Sequence, residues 1–238
     1  WSVISGTGTF VNASLANTSV TGLSIGPNVF RWTIPGGACG SVSDDVTITV
    51  QAQPTSALAG NDQTICATVT TLDGNVPMVG NGVWTVISGT GTFANANLAN
   101  TSVSGLSTGT NVFRWTISNG VCAPSFDEVS IEVDANPITP NAGIDQTICN
   151  NSTTLAATAA TGGSWSVVSG TGTFVNVSLA NTSVTGLSVG PTVFRWTIPG
   201  GACGSVFDDV TITVQALPST ALAGNDQTIC ATVTTLNG

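Results

Sequence analysis

A sequence unit that occurs three times constrains this chain more than any other feature. The ten residues that begin at Trp1 return almost unchanged from Trp84 and again from Trp165, at spacings of 83 and 81 residues. Cysteines repeat with them: Cys39 follows Trp1 by 38 positions and precedes Cys66 by 27, and the later copies keep both intervals. A spacing of about 80 residues is the size of a small domain, so the sequence predicts tandem copies of one domain.

The first and third copies resemble each other more than either resembles the second. This pattern indicates duplication of a two-domain cassette with a period of 164 residues. The only interval that changes in length lies between the second Cys of a copy and the next Trp, in a Gly-containing stretch that is typical of an exposed loop.

Each unit alternates apolar and polar residues with the period of a β-strand. In the stretch 112–117, Phe113, Trp115 and Ile117 share one predicted face and Arg114 lies on the other. Turn signals separate such runs at the roughly 8 to 12 residue spacing of antiparallel sandwiches. We predict an all-β fold of tandem Ig-like/PKD-like antiparallel β-sandwich domains, each with about seven strands, arranged end to end.

Proline-containing linkers set the predicted domain boundaries. Three stretches follow Val-rich strands and have the composition of extended, semi-rigid connectors: 51–58, 134–141 and 215–222. We therefore predict four segments: the C-terminal part of a repeat at 1–50, complete repeats at 59–133 and 142–214, and the N-terminal part of a further repeat at 223–238. On this phase we expect the chain to be part of a much longer array.

The charge composition excludes two classes of function. The chain has 3 Lys+Arg, 12 Asp+Glu, no His and a formal net charge of −9, so it lacks the basic face that displaces counterions from nucleic acids. All the cations are Arg, and without His and Lys the usual general bases and Schiff-base nucleophiles are missing. We predict neither nucleic-acid binding nor enzymatic activity. No apolar run approaches the ~20 residues of a membrane span, so we expect none in this segment.

The 6 regularly spaced Cys residues indicate an oxidising compartment. Two connectivities are open: Cys66 with Cys122 inside a domain, or Cys39 with Cys66 across a junction. We expect Cys66 to lie at the same end of the sandwich as the final hairpin, and a disulfide tolerates only about 4.4 to 6.8 Å between Cα atoms. This geometry favours Cys66 with Cys122 and Cys149 with Cys203. Free buried thiols are the remaining alternative.

Acidic side chains are predicted to gather at the ends of the domains that face the linkers. The set comprises Asp62, Asp127, Glu128, Asp145, Asp208 and Asp209. Carboxylate oxygens are the ligands that Ca²⁺ prefers, so this set is a candidate Ca²⁺ site that would stiffen the array. No Asp-x-Asp-x-Asp-Gly loop is present, and we favour the interpretation that these residues cap turns and protect strand edges. We expect no other cofactor.

The Trp and Arg residues each allow two interpretations. Trp84 and Trp115 are either stacking platforms for carbohydrate or core residues, and the apolar residues on the same predicted strand faces favour the core. Arg31, Arg114 and Arg195 lie on the opposite face. An exposed ion pair contributes less than about 1 kcal/mol, so we expect solvated Arg side chains rather than ion pairs.

These motifs resemble a known repeat type. Three runs carry the resemblance: Ala-Gly-Asn-Asp-Gln-Thr-Ile-Cys at 59–66, Gly-Val-Trp at 82–84 and Val-Phe-Arg-Trp-Thr-Ile at 112–117. They are similar to the Ig-like/PKD-like tandem repeats of giant cell-surface proteins of Bacteroidetes, which occur in adhesins, gliding-motility filaments and spacer regions of secreted enzymes. The resemblance implies export by a type IX secretion system and a location outside the cell, at its surface.

From these observations we predict a structural repeat region of an extracellular bacterial surface adhesin or filament, which supplies length and mechanical strength for adhesion or gliding. Its partners would be neighbouring repeats of the same long chain and other copies in a filament. Two alternatives remain: a module that binds glycan or protein through its loops, and a spacer in a secreted hydrolase. The near-identity of alternate domains favours the structural role, because a binding face diverges between copies more often than a strut does.

Overall fold

The computed structural model describes residues 1–238, and β-strands dominate it. The 19 strands form six sheets, and the only helical elements are 3-10 turns at Gly37–Cys39 and Gly201–Cys203. The chain divides into two compact units, Trp1–Ala135 and Asn136–Gly238. The predicted all-β, Ig-like fold is confirmed.

Residues 1–50 form two small sheets, which we call the first sandwich. Its strands are β1 (Ser2–Ser5), β2 (Thr9–Phe10), β3 (Val20–Thr21), β4 (Gly26–Pro35) and β5 (Ser41–Val50). One sheet has the order β1-β4-β5, and the other pairs β2 with β3. No strand lies on the outer side of β5, so its edge is unpaired.

Residues 59–133 contain seven strands, which we call the second sandwich. These are β6 (Gln63–Ile65), β7 (Val69–Asp73), β8 (Asn81–Ser88), β9 (Thr92–Phe93), β10 (Asn100–Ser104), β11 (Gly109–Ser118) and β12 (Ser125–Val133). One sheet has the order β6-β12-β11-β8 and the other β7-β10-β9. Leu72 of the smaller sheet and Phe113 of the larger belong to one buried core, so the two sheets pack face to face.

The strand β11 has the predicted alternation. Phe113, Trp115 and Ile117 are fully buried, while Arg114 lies on the other face. Because β11 pairs with both β12 and β8, it lies inside its sheet, where β-branched and aromatic side chains pack well. Trp115 stands opposite Trp84 in the register, with ring centroids 5.1 Å apart.

The second unit holds a sandwich of the same design, residues 142–214, which we call the third sandwich. Its strands are β13 (Gln146–Ile148), β14 (Thr153–Ala156), β15 (Ser164–Ser169), β16 (Thr173–Phe174), β17 (Asn181–Thr185), β18 (Gly190–Ile198) and β19 (Val206–Val214). The sheet orders are β13-β19-β18-β15 and β14-β17-β16. Residues 215–238 form no strand, and all of their side chains are exposed.

One pairing in each complete sandwich differs from the antiparallel prediction. β6 runs parallel to β12, with Gln63 opposite Ile131 and Ile65 opposite Val133, and β13 runs parallel to β19 in the same way. A parallel pair needs a long connection between its strands, and here the rest of the sandwich supplies it. The first and last strands of each sandwich therefore end at the same end of the domain.

Candidate functional site at the ends of the complete sandwiches

The chain enters and leaves the second sandwich at opposite ends. On entering, the N–H of Ala57 donates to Oγ of Ser125 (2.9 Å) and the N–H of Ala59 donates to Oδ2 of Asp127 (2.8 Å), so this end is the start of β12. The chain leaves from Val133, the last residue of β12. At about 3.3 Å per residue, β12 separates the two points by roughly 26 Å.

The parallel pairing of β6 with the end of β12 is reinforced on both sides, and we call residues 62–65 and 130–134 together the terminal-strand clamp. The N–H of Ser130 donates to Oδ1 of Asp62, and the N–H of Asp134 donates to the carbonyl of Ile65, both at 2.8 Å. The clamp therefore fastens the first strand of the sandwich directly to the last.

Gln63 also fastens the clamp to the other sheet. Its Nε2 donates to the carbonyl of Thr71 (3.1 Å), and its Oε1 accepts from Oγ1 of Thr70 (2.6 Å). Since β6 has only 3 residues, it buries little apolar area of its own. The side chain of Gln63 thus supplies an anchor to β7 that packing alone does not provide.

The third sandwich repeats these contacts except the one from Ala57 to Ser125, whose counterparts are Pro140, which has no N–H group, and Val206, which has no hydroxyl. The N–H of Ala142 donates to Asp208, the N–H of Thr211 to Asp145, and the N–H of Gln215 to the carbonyl of Ile148, all at 2.8 Å. The side chain of Gln146 bonds Thr153 and Thr154 as Gln63 bonds its own partners. The arrangement is therefore a property of the repeat rather than of one copy.

The linker before the second sandwich is held by the hairpin that joins β11 to β12. Nδ2 of Asn119 donates to the carbonyl of Ala52, and the N–H of Val121 donates to Oε1 of Gln51, both at 2.8 Å. The sulfur of Cys122 lies 3.4 Å from the carbonyl of Ala52. This hairpin and the linker therefore meet at the end where the chain enters.

The six acidic residues predicted as a candidate Ca²⁺ site do not converge. No group of three or more His, Cys, Asp or Glu side chains is placed to hold a metal ion. Neighbours such as Asp127 and Glu128 lie on opposite faces of one strand, so they cannot bind the same metal ion. Four of the six accept hydrogen bonds from backbone N–H groups: Asp62, Asp127, Asp145 and Asp208. The other two, Glu128 and Asp209, form ion pairs with Arg.

The predicted disulfide pairings are wrong. Cys66 and Cys203 are disulfide-bonded, but Cys122 and Cys149 carry free thiols, so neither Cys66–Cys122 nor Cys149–Cys203 forms. The junction pairing of Cys39 with Cys66 does not form either, because Cys39 is also free.

The direction of β6 explains why the intradomain pairing fails. Cys66 follows Ile65, which lies opposite Val133 at the last residue of β12. Cys122 precedes Ser125, the first residue of β12. The two cysteines therefore lie at opposite ends of a strand about 26 Å long, whereas a disulfide spans about 4.4 to 6.8 Å between Cα atoms.

Trp84 and Trp115 are core residues, as predicted, with 2% and 0% of their surface exposed. The indole Nε1 of Trp84 donates to the carbonyls of Leu98 and Ala99, and that of Trp115 donates to the carbonyl of Asn75, all at 3.1 Å. Burial of the rings and satisfaction of both N–H groups leave neither residue as a platform for sugar stacking.

The expectation of solvated Arg side chains is wrong. Each Arg pairs with the acid opposite it on the next strand, at 2.7 Å for Arg31 and Asp45 and 2.8 Å for Arg195 and Asp209. The hydrogen bond from Arg195 lowers the pKa of Asp209 below its ordinary value. Arg195 also lies 3.6 Å from the ring centroid of Phe207, and planar stacking of this kind suits a guanidinium group.

Comparisons with known proteins give matches among solved structures. No family model matches the chain, and no curated protein matches it. Similar solved structures include the PKD domain from the KIAA 1837 protein, with 24% identity, a TM-score of 0.31, and coverage of 39% of this chain and 98% of that one.

Two structures with several domains also match. Sidekick-1 immunoglobulin domains 1–4 match with 11% identity and a TM-score of 0.46, over 88% of this chain and 72% of that one. Mouse cadherin-23 EC22–24 matches with 15% identity and a TM-score of 0.37, over 69% and 67%. No helix in the structure has the length and apolar character needed to cross a membrane.

Sequence reasoning missed the polar anchors. The role of Gln63 had no sequence signal beyond its recurrence as Gln146 and Gln227. The role of Asn111 was missed as well: this residue is fully buried and its side chain bonds two loops. A polar residue at an inward position of a strand was the available signal, because a buried amide must find partners.

Proposed function

We propose that this chain is a load-bearing repeat region of an extracellular stalk or filament. The observation that carries the proposal is the terminal-strand clamp in a domain whose chain enters at one end and leaves at the other. The finer assignment, a bacterial surface adhesin or filament of the Bacteroidetes type that is exported by type IX secretion and serves adhesion or gliding, rests on the sequence resemblance.

The direction of pulling determines how the clamp responds. Tension on the entering chain draws β6 towards the start of β12, while tension on the departing chain draws β12 the other way. Because β6 and β12 are parallel, these forces slide one strand along the other. The hydrogen bonds between them are then loaded together rather than opened one at a time, which is the arrangement that resists extension.

The bond between Ala59 and Asp127 adds to this resistance. It joins the entering chain to β12 before β6 begins, and its acceptor is a carboxylate, so it belongs to the stronger class of hydrogen bonds. Ala59 is fully buried, so its N–H group finds no water if the acceptor is lost. Force that arrives through the linker is therefore passed to the last strand first.

An extracellular location is supported by the disulfide-bonded Cys66 and Cys203, since disulfides persist outside reducing compartments. The burial of Trp84 and Trp115 removes the aromatic pair that had suggested a glycan-binding module. A spacer role in a secreted hydrolase would use the same mechanical properties, and an attached catalytic domain would distinguish it.

Single-molecule stretching of the whole chain tests the proposal. With the disulfide reduced, since a disulfide blocks extension of the residues it encloses, we expect two force peaks from the two complete sandwiches, each followed by an extension of about 20 to 25 nm for roughly 75 residues at ~3.5 Å per residue. Asp127→Ala should lower the force of one peak, because it frees Ala59 from β12. Glu128→Ala is the matched control, since Glu128 lies next to Asp127 but pairs with Arg114 on the other face.

Extension without force peaks would contradict the load-bearing function. Equal loss of force in Asp127→Ala and Glu128→Ala would contradict the role given to the Asp127 bond, because only Asp127 contacts the entering chain.

A further inference from the structure

The larger sheet of each complete sandwich has an edge strand without the usual protection of an edge. This strand is β8 in the second sandwich and β15 in the third. Neither strand contains a charged residue or a proline. Proteins often place such residues on edge strands, because an edge presents unpaired N–H and C=O groups to other chains. The opposite edge of the sheet, β6, is protected by its length of only 3 residues.

The register shows which backbone groups of β8 point away from its sheet. Trp84 stands opposite Trp115, and the N–H of Trp84 donates to the carbonyl of Ala96, outside the sheet, at 2.8 Å. Successive residues of a strand direct their backbone groups to alternate sides, so Gly82 and Val86 share the outward direction of Trp84. The register shift in β8 comes only after Val86. These outward groups are the ones with which a further strand can pair.

A loop covers the middle of this edge. Residues 94–99, which we call the strap, connect β9 to β10. Besides the backbone bond from Trp84 to Ala96, the indole Nε1 of Trp84 donates to the carbonyls of Leu98 and Ala99, both at 3.1 Å. One tryptophan therefore holds the strap through its backbone and through its ring.

Asn95 gives the strap its shape. Its Oδ1 accepts from the N–H of Asn97 (3.0 Å), and its N–H donates to Oγ1 of Thr101 (3.1 Å). A turn closes where the N–H of Leu98 donates to the carbonyl of Asn95, at 3.3 Å. Asn suits this position because its short side chain bonds the backbone two residues further on. The turn holds the carbonyl of Ala96 towards β8.

The third sandwich has the same strap at residues 175–180. The N–H of Trp165 donates to the carbonyl of Val177 at 2.8 Å, and its indole group bonds two further carbonyls of the loop. Asn176 makes the bonds that Asn95 makes in the second sandwich. The apolar side chains of the two straps differ, so the feature common to both is the cover over the edge.

Exposed apolar side chains lie on the covered strands. Val86 and Ile87 of β8 are 39% and 45% exposed, and their counterparts Val167 and Val168 of β15 are 40% and 50% exposed. Pairing of two such edges would place these side chains against each other and bury apolar area, which favours association. A second copy of the chain offers the same side chains and the same absence of charge, so two copies of this edge are complementary.

We propose that the strap keeps the edge of β8, and of β15, closed to strand addition by a second copy of this chain. Addition of a strand to an exposed edge is a common mode of association between proteins. The strap supplies an intramolecular partner for the N–H of Trp84, which the second copy would otherwise bond. Copies therefore pair through this edge only after the strap opens, and near-identical repeats remain separate while it is closed.

Hydrogen exchange of the whole chain, measured by NMR, gives the first test. Asn95→Ala removes the side-chain bond that shapes the turn, and the amide of Trp84 should then exchange about fivefold faster, the equilibrium factor for loss of one hydrogen bond. Asn95 is exposed, so this variant keeps its fold.

Asn97→Ala is the matched control for Asn95→Ala. Asn97 lies in the same strap but contributes its backbone N–H rather than its side chain, so exchange at Trp84 should change by less than about twofold. Equal exchange at Trp84 in the parent and in Asn95→Ala would overturn the proposal.

Sedimentation velocity gives the second test, after alkylation of the free thiols so that no disulfide forms between copies. The variant combines Asn95→Ala with Thr101→Val, and Asn176→Ala with Thr182→Val, so each strap loses both bonds of its Asn. At equal concentration we expect association more than about tenfold stronger than in the parent, because both edges open more often. The amides of Gly82 and Val86 should gain protection in the associated form, since the second copy bonds them.

Val83→Lys with Ser164→Lys, added to this variant, tests whether the edge is the contact. Both residues are exposed on the edge strands, and a positive charge on an edge opposes strand pairing. These two substitutions should return association to the level of the parent while the straps stay open. Open straps without stronger association would overturn the proposal. So would association that persists after these substitutions, or that leaves Gly82 and Val86 unprotected, because the contact would then lie elsewhere.

Discussion

Replacement of Asn111 by Ala tests how the loops of the second sandwich are held to its sheet. Oδ1 of Asn111 accepts from the N–H of Thr90 (2.9 Å) and from the hydroxyl of Ser107 (2.9 Å). Nδ2 donates to the carbonyls of Ser107 (2.8 Å) and Gly109 (3.0 Å). One buried amide therefore joins two loops to β11, and Ala removes all of these bonds at once.

The cost of Asn111→Ala follows from the bonds that are lost. The hydroxyl of Ser107 is free to rotate towards water, which leaves three short bonds to backbone groups, each with a net value of about 1 kcal/mol. We expect a loss of about 3 kcal/mol. For a sandwich of roughly 75 residues, this corresponds to a Tm lower by roughly 12 to 24 °C.

The third sandwich supplies the matched control, because Thr192 stands where the second sandwich has Asn111. Thr192 is as deeply buried, but the only hydrogen bond of its side chain runs from its hydroxyl to the carbonyl of Thr171, at 3.5 Å. Thr192→Asn should therefore rebuild the amide bonds and stabilise the third sandwich by about 1 kcal/mol, which is opposite in sign to Asn111→Ala.

Hydrogen exchange measured by NMR separates these effects residue by residue, and calorimetry gives their size. In Asn111→Ala the amide of Thr90 should lose protection, and in Thr192→Asn the amide of Thr171 should gain it. A change below about 0.5 kcal/mol in Asn111→Ala, with the protection of Thr90 unchanged, would refute the reasoning.

Two further predictions concern the cysteines and the ion pairs. Alkylation of the dilute chain should modify Cys39, Cys122, Cys149 and Cys230 and should spare Cys66 and Cys203 until a reductant is added; peptide mass spectrometry reads this out, and early labelling of Cys66 would contradict it. Because Arg195 lowers the pKa of Asp209 in the folded state, their pairing stabilises the chain above the unfolded-state pKa of about 3.9 and is lost as the pH falls through the folded-state pKa. The difference in stability between the parent and Arg195→Gln, measured by urea unfolding, should be constant near neutral pH and shrink below about pH 4, and a difference that widens in acid would contradict the assignment.

The sequence predicted the strands that carry a strong alternating pattern. β11 holds its apolar residues on one face for its whole length, and no helical period competes with that pattern. The direction of β6 could not be predicted in the same way. Its three residues, Gln63 to Ile65, pair equally well with a parallel or an antiparallel neighbour, so the connection around the whole sandwich decides the direction.

The disulfide pairings were predicted wrongly because the direction of β6 relative to β12 was not known from the sequence. If β6 ran antiparallel to β12, Cys66 would lie near Cys122, as the sequence argument assumed. Spacing along the chain is the same in both cases, so regular intervals between cysteines carry no information about which ends of the sandwich they occupy.

Two of the acidic residues named from the sequence bond backbone groups in the second sandwich. Asp62 and Asp127 were selected because they lie near linkers, and the structure places Asp62 where the first strand meets the last and Asp127 where the entering chain meets the last strand. Their partners are backbone N–H groups of residues far away in the sequence. The sequence around a single carboxylate does not indicate which distant backbone group it bonds, whereas a metal site is recognised by several ligands at fixed spacing.

The differences between the repeats fit the mechanical interpretation of the clamp. Asp62, Gln63 and Asp127 each recur unchanged in the third sandwich, and all three lie on the path from the entering chain to the departing one. Other positions differ between these two copies, four of them in the last strand, where Ser125, Glu128, Ser130 and Glu132 are replaced by Val206, Asp209, Thr211 and Thr213. The clamp survives these changes, because the N–H of Thr211 donates to Asp145 as that of Ser130 donates to Asp62.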